Sequence, residues 1–192
     1  MLTDQNAFAA EQAHYDKTPE ATWQAFFEEN TWIFGYGLTY QFLSGLDEKR
    51  LEQTVRGADI SGPGKRIDAL MKTRGILSSL CFVEIKRHDA KLLDHSNSYR
   101  SGAWSVSKEL SGGVAQVQTT VADTVDRLSR AITVSDAEGD PTGELLFNVH
   151  PKAFLVIGQL SEFHSERGIN QPKFRSFEMF RREMRSPEIL TF

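Results

Sequence analysis

The run Cys81-Phe82-Val83-Glu84-Ile85-Lys86 decides the fold, together with Lys65-Arg66-Ile67-Asp68-Ala69-Leu70 upstream of it. Both read as short strands. Alternation along a strand puts Glu84 and Lys86 on one face and Ile85 on the other, so a carboxylate and an ammonium project together from a segment whose opposite side is apolar. That is a poor way to build a core and a good way to build a site. If the Asp68 strand folds back beside it as a hairpin through Lys72-Thr73-Arg74-Gly75, a second carboxylate joins the same face. Two convergent carboxylates suit a hard divalent cation, and the lysine beside them suits the positioning or deprotonation of a water. These side chains are expected to be partly exposed. The plain alternative is a cross-strand ion pair on the surface, worth only ~0.2–1 kcal/mol.

Working outward, Thr18-Pro19-Glu20 is a helix start, with threonine as the cap and proline at the first position. Trp23, Phe26 and Phe27 give that helix an apolar stripe, and it is expected to end near Gly35. Residues 1–18 read as a polar lead and 19–192 as a single domain. From Tyr36 to Lys86 short β-rich runs are punctuated by Ser44-Gly45, Arg56-Gly57, Ser61-Gly62-Pro63-Gly64 and Gly75, the rhythm of an antiparallel meander. A polar connection containing Asp94-His95-Ser96-Asn97-Ser98 follows. Then Val106, Leu110, Val114, Val117, Val121, Val125 and Leu128 recur at threes and fours, which predicts helix packed on the sheet, with a break at Gly112-Gly113. Ser135 to Gly143 is expected to be an exposed acidic loop. Ala153-Phe154-Leu155-Val156-Ile157 reads as a strand buried on both faces, and a last helix is expected from about Phe174 to Met184.

A chain of 192 residues with 40% hydrophobic and 25% charged content is that of one soluble globular domain. The single cysteine, Cys81, cannot form an internal disulfide, and the start of the chain lacks a secretory pattern, so a cytoplasmic setting is expected. No apolar run approaches the ~20 residues of a membrane helix. The net charge of −4 argues against indiscriminate electrostatic binding to nucleic acid, but it is unevenly spread: residues 1–60 carry 10 acidic and 4 basic side chains, leaving the remainder net positive. Lys173, Arg175, Arg181, Arg182 and Arg185 form a locally basic stretch near the end. They suit phosphate contacts or simply a solvated helix face.

Other candidates are weaker. His14, His88, His95, His150 and His164 show no spacing of the kind zinc sites require. Ser61-Gly62-Pro63-Gly64-Lys65 lacks phosphate-loop spacing and precedes a strand, so it reads as a turn. Arg100 suits either a phosphate contact or a structural pairing. Trp23, Trp32 and the phenylalanines read as core.

The order of helix, strand meander carrying Asp and Glu-x-Lys, helix, strand and helix resembles the PD-(D/E)xK nuclease superfamily. More closely, the chain resembles the Shedu (SduA-type) antiphage-defence nuclease family from about residue 20 onward. The resemblance is carried by Phe26-Phe27-Glu28-Glu29-Asn30-Thr31-Trp32-Ile33-Phe34-Gly35, Arg66-Ile67-Asp68, Val83-Glu84-Ile85-Lys86 and Tyr99-Arg100. It continues in Glu109-Leu110-Ser111-Gly112-Gly113-Val114-Ala115-Gln116-Val117, in Pro151 to Gly158 and in Glu188-Ile189-Leu190-Thr191-Phe192. It departs at Thr31, where the family favours proline, and at Thr120, where related nucleases often carry an aromatic.

The resemblance implies an α/β (α+β) restriction-endonuclease-like core, with a central mixed sheet flanked by helices. It implies Asp68, Glu84 and the Ile85 carbonyl as metal ligands, Lys86 as the catalytic lysine and Gln116 as a helix glutamine near the site. Glu28 or Glu29 would be a further carboxylate or part of a solvated face. The expected function is a Mg²⁺-dependent DNA endonuclease, with Mn²⁺ able to substitute, acting on duplex DNA as a homo-oligomer (dimer or tetramer). DNA contacts are expected from Arg100, Arg181 and Arg182. The alternative is a catalytically silent nuclease-like domain that binds DNA or protein. The chain reads as a minimal family member or as an excised domain of a longer protein.

Overall fold

The computed structural model describes residues 5–15, 18–30, 33, 41–45, 69–74, 78–94, 98–128, 130–135 and 140–192. In chain order these form α1 (Gln5–Tyr15), α2 (Pro19–Glu29), β1 (Gln41–Gly45), β2 (Ala69–Arg74), β3 (Ser78–Ile85), α3 (Lys108–Arg127), β4 (Ala131–Ser135) and β5 (Pro141–Val156). A short 3-10 turn (Leu160–Phe163), the small hairpin of β6 (His164–Ser165) and β7 (Gly168–Ile169), α4 (Gln171–Glu183) and β8 (Glu188–Leu190) complete them.

The sheet is mixed. Its order is β1-β2-β3-β5-β4, and β8 also pairs with β5. β1, β2 and β3 form the expected antiparallel meander, whereas β3 and β5 run parallel, as do β5 and β8. The β2–β3 hairpin is present, but Lys72, Thr73 and Arg74, read above as its turn, belong to strand β2. Pairing with β3 carries them further than their local turn propensity suggests.

Cys81, Val83 and Ile85 point to one face of β3, where Trp23 and Phe27 of α2 cover them together with Phe154 and Val156 of β5. Leu80 and Phe82 point to the other, into a core with Leu110, Val114 and Val117 of α3, Leu155, and Phe177 of α4. The molecule is therefore an α/β/α sandwich with both faces of its central strands buried, as the apolar run in β5 predicts.

Several boundaries differ from the sequence reading. Residues 1–18 contain a helix, α1, anchored where the Phe8 ring stacks on Trp23 at 5.1 Å. α2 starts as predicted, with the Thr18 hydroxyl accepting from the Ala21 amide and Pro19 in the first turn. It stops at Glu29, not near Gly35. The Asn30 backbone and side-chain amides both donate to the Phe26 carbonyl and close the last turn. α4 starts at Gln171, capped by Asn170, three residues before Phe174. The expected acidic loop is shorter than predicted, because Pro141 to Gly143 already belong to β5.

α3 is unbroken across Gly112-Gly113. Its Ser107 cap accepts from the Leu110 amide and donates to the Lys91 carbonyl. Gly113 lies against β5, where an added Cβ would sit 3.1 Å from both δ-carbons of Leu155, whereas a Cβ on Gly112 would meet nothing within 4 Å. The pair therefore marks close helix-to-sheet packing instead of a helix break. Gly112→Ala is expected to stabilise the protein by roughly 0.5–1 kcal/mol through helix propensity alone. Gly113→Val should destabilise it by about 1–3 kcal/mol by overpacking. Urea unfolding of the two variants checks both signs.

Candidate active site

At the C-terminal end of β3 the chain places a carboxylate inside the α3-side core and its counter-ion one step beyond. The Glu84 side chain is 8% exposed, and Lys86 Nζ donates to its Oε1 at 2.7 Å, with the Lys86 side chain 21% exposed. The expectation of partly exposed polar groups therefore holds for Lys86 and fails for Glu84. Gln116 reaches the pair from α3, its Oε1 accepting from Lys86 Nζ at 2.9 Å. A buried carboxylate needs such partners, since an ion removed from water without them carries a desolvation cost of several kcal/mol.

The turn after Lys86 is firmly held. The Lys86 amide donates to the Val156 carbonyl at 2.8 Å and Gly158 donates to the Arg87 carbonyl at 3.2 Å. Gly158 has φ +60, and a Cβ there would lie 2.6 Å from the Ala90 carbonyl oxygen, so only glycine lets the two loops approach this closely. Glu162 accepts from the Leu92 and Leu93 amides at 2.7 and 3.1 Å. On the opposite face Trp23 Nε1 donates to His88 Nδ1 at 3.1 Å. Arg87 holds Asp89 through two hydrogen bonds, at 2.8 and 2.6 Å, and these keep the Asp89 carboxyl below its ordinary range despite some desolvation. Glu162, Trp23 and His88 were not singled out as supports by sequence reasoning, because their partners lie about 65 to 70 positions away.

Of the remaining sequence candidates, Asp68 lies outside the described residues. The strand that follows it pairs Ala69 with Val83. In the sequence Asp68 directly precedes Ala69, as Glu84 directly follows Val83. The side chain of Ile85 belongs to the α2-side core. The side chains of Glu28 and Glu29 lie outside the described set.

Arg100 is exposed and lies over the Tyr99 ring, 5.8 Å from its centroid, in the turn that leads to α3. Arg181 and Arg182 share Glu178, whose Oε1 takes Arg181 as an ion pair at 2.5 Å without hydrogen-bond alignment and whose Oε2 accepts from Arg182 Nε at 3.1 Å. Both arginines line a groove with Lys152 and Glu188. Lys152 is in register with Cys81, three residues and roughly 10 Å back along β3 from Glu84. The structure therefore unites Glu84, Lys86 and Gln116 and sets the C-terminal arginines apart from them. The i, i+3 and i, i+4 spacing of Glu178 to Arg181 and Arg182 was the available signal for their pairing.

The donor set fits a hard cation in kind, offering a carboxylate, an amide oxygen and strand carbonyls. Among the described residues no three His, Cys, Asp or Glu side chains converge on a metal position. A complete carboxylate pair requires Asp68.

A match to the family described as Shedu protein SduA, C-terminal, spans residues 17–192. The chain is also 25% identical over 176 residues to Shedu protein SduA of Bacillus cereus (strain B4264), covering 91% of this chain and 43% of that relative. The chain thus spans less than half the length of that curated relative.

Cys81 lies within the site strand itself, in the α2-side core, with no exposed surface. Burial pushes its thiol up to about 12, against a smaller opposing pull from Lys152. A raised thiol pKa means the folded state disfavours the thiolate. Stability from this group is therefore complete below the unfolded value near 9 and is lost as pH rises toward 12. The native protein should resist a disulfide-exchange reagent at pH 8 and react fully in denaturant. Rapid labelling of the native protein would contradict the burial.

Proposed function

The chain belongs to the Shedu SduA C-terminal family, and from that membership together with the Glu84–Lys86–Gln116 cluster we propose a metal-dependent DNA endonuclease acting in antiphage defence. The observation that carries this reading is the buried Glu84 carboxylate held by Lys86, one residue beyond the Ala69–Val83 pair. A purely structural ion pair gains little from such a position. Replacing a buried pair by apolar residues is commonly neutral or stabilising, so retention at a strand end speaks for chemistry.

In this reading Asp68 and Glu84, with the Ile85 carbonyl, hold Mg²⁺ or Mn²⁺. The bound ion supplies Lewis acidity toward the scissile phosphate and acidifies its water. Glu84 is preorganised for this by burial and by the rigid β3–β5 pairing. Lys86 spends two of its three donors on Glu84 and Gln116, and among the described residues the third is left for a phosphate oxygen or the attacking water. Gln116 is a positioning residue: its acceptor fixes the direction of the ammonium and touches no substrate. Donors already aimed at the place where negative charge develops need no reorganisation during the reaction.

Substrate contacts are assigned to Arg100, with Arg181 and Arg182 reaching DNA from the groove. Cutting both strands with one site per chain calls for a pair of sites, and a symmetric homo-oligomer, dimer or tetramer, supplies it. No helix among the described residues is long and apolar enough to cross a membrane. A cytoplasmic setting remains part of the proposal.

The test is cleavage of plasmid and linear duplex DNA. Activity is expected with Mg²⁺ or Mn²⁺ and absent in chelator. Glu84→Gln and Lys86→Ala should each lower turnover by about 100-fold or more while the protein stays folded by circular dichroism. Gln116→Ala should reduce kcat more than it raises KM, and Gln116→Glu, which keeps an acceptor for Lys86 Nζ, should retain more activity than the alanine. Undiminished cleavage in chelator would sink the mechanism.

A further inference from the structure

β5 carries an irregularity that the proposed active site does not use. Its register with β3 jumps from Ser79↔Phe147 to Cys81↔Lys152, so the four residues Asn148 to Pro151 stand opposite the single Leu80. β4 pairs with β5 before this bulge and β8 after it, both on the side away from β3, which leaves a notch between them at the sheet edge. His150 takes a positive φ of 46°, unusual outside glycine. Asn148 is 2% exposed, and although its Nδ2 donates to the Thr124 carbonyl at 3.3 Å, its Oδ1 is buried without a hydrogen-bond partner. Backbone strain and an unsatisfied buried acceptor both cost stability, and such costs concentrate at binding sites.

The notch opens into a groove of about 1260 Å³ walled by the C-terminal turns of α3 and α4. Arg130, Lys152, Arg181, Arg182 and Arg185 line it against the carboxylates of Asp126 and Glu188. Five cations facing two anions is a concentrated positive field in a chain whose net charge is −4. Glu178 offsets part of this charge by pairing with Arg181 and Arg182, and the other three cations are less neutralised. Lys152 and Glu188 stand 3.9 Å apart, each more than half exposed, and among the described residues Arg130 and Arg185 have no ion-pair partner. The groove is open and larger than a typical small-molecule pocket of roughly 300–1,000 Å³, which favours an extended polyanion over a compact ligand.

We propose that this groove is an exosite for the phosphate backbone of duplex DNA, engaged apart from the Glu84–Lys86 cluster. It rests on the preceding reading in taking nucleic acid as the substrate and in giving Arg181 and Arg182 contacts to it. Lys152 is in register with Cys81, and Glu188 through Phe154 with Val83, so the groove runs along the β8 side of the sheet, two strands across from the Glu84 end of β3. Open arginines there supply sequence-independent affinity and fix the register of the duplex.

The experiment measures binding of a fluorescein-labelled blunt duplex by anisotropy in Ca²⁺ buffer across a range of salt. The double variant Arg130→Ala/Arg185→Ala should bind more weakly, with the slope of log affinity against log salt reduced by roughly 0.9 per lost phosphate contact. Glu84→Gln should keep the groove's share of the salt dependence, since it leaves Arg130 and Arg185 in place. Matching melting temperatures for all three proteins establish that the variants are folded. An unchanged slope in the double variant, or no duplex binding by the wild type, overturns the exosite. Displacement of the duplex by ATP at a level where sodium chloride of equal ionic strength has no effect assigns the groove to a small phosphate ligand and overturns it as well. If Glu84→Gln still cleaves while the double variant loses affinity, the active-site assignment fails and the groove stands. If Glu84→Gln is inactive and the double variant binds normally, the reverse holds.

Discussion

Everything in this molecule hangs on the parallel pairing of β3 with the second half of β5, Cys81 to Ile85 against Lys152 to Val156. Both segments are covered on two faces, so their backbone amides and carbonyls have no water to turn to and must satisfy each other. Once that ladder forms, the aromatic side chains of α2 have a surface to cover on one face, and α3 and α4 have theirs on the other. The chain end is drawn in by the same requirement: β8 completes the far side of β5, and Phe192 closes over Trp23 with ring centroids 4.4 Å apart.

That pairing also sets the chemistry. Glu84 alternates onto the α3-side face, where it is largely shielded from water, and the next residue on that face, Lys86, emerges just past the end of the strand with enough reach to turn back on it. Gln116 is then the natural third member, because α3 is pressed so close to the sheet at Gly113 that a residue one turn along reaches the strand end. The fold thereby keeps a charged group where an apolar one would pack better. A site of this kind costs stability, and the surrounding anchors, from Glu162 on the Leu92 and Leu93 amides to the Gly158 crossing, hold it in place.

The far end of the sheet is built differently. There the ladder is broken by four residues of β5, and the groove beside the break is polar, cationic and open. A closed, rigid pair of strands at one end and an interrupted, charged edge at the other divide one sheet between holding a reacting group and presenting a surface. Because β5 runs through both, the two ends are mechanically one element.

Much of this was legible in the sequence, for reasons that are local. Alternation placed Glu84 and Lys86 together on β3, the Thr18-Pro19 pair set the start of α2, and spacing by threes and fours marked α3, since each depends on residues a few positions apart. The ordered motifs identified the family, and Gln116 with it. Local reading failed where distant contacts overrode propensity. Gly112-Gly113 looked like a break and is a packing contact, and Lys72 to Arg74 looked like a turn and extend a strand. Only the tertiary structure decided that Glu84 is buried, that Glu162 and His88 brace the turn beyond it, and that Arg181 and Arg182 line a groove on the β8 side of the sheet. Burial, register and the bulge at Asn148 to Pro151 follow from which strands lie beside which, and that is settled by long-range hydrogen bonding and packing, not by the periodicity of any one segment.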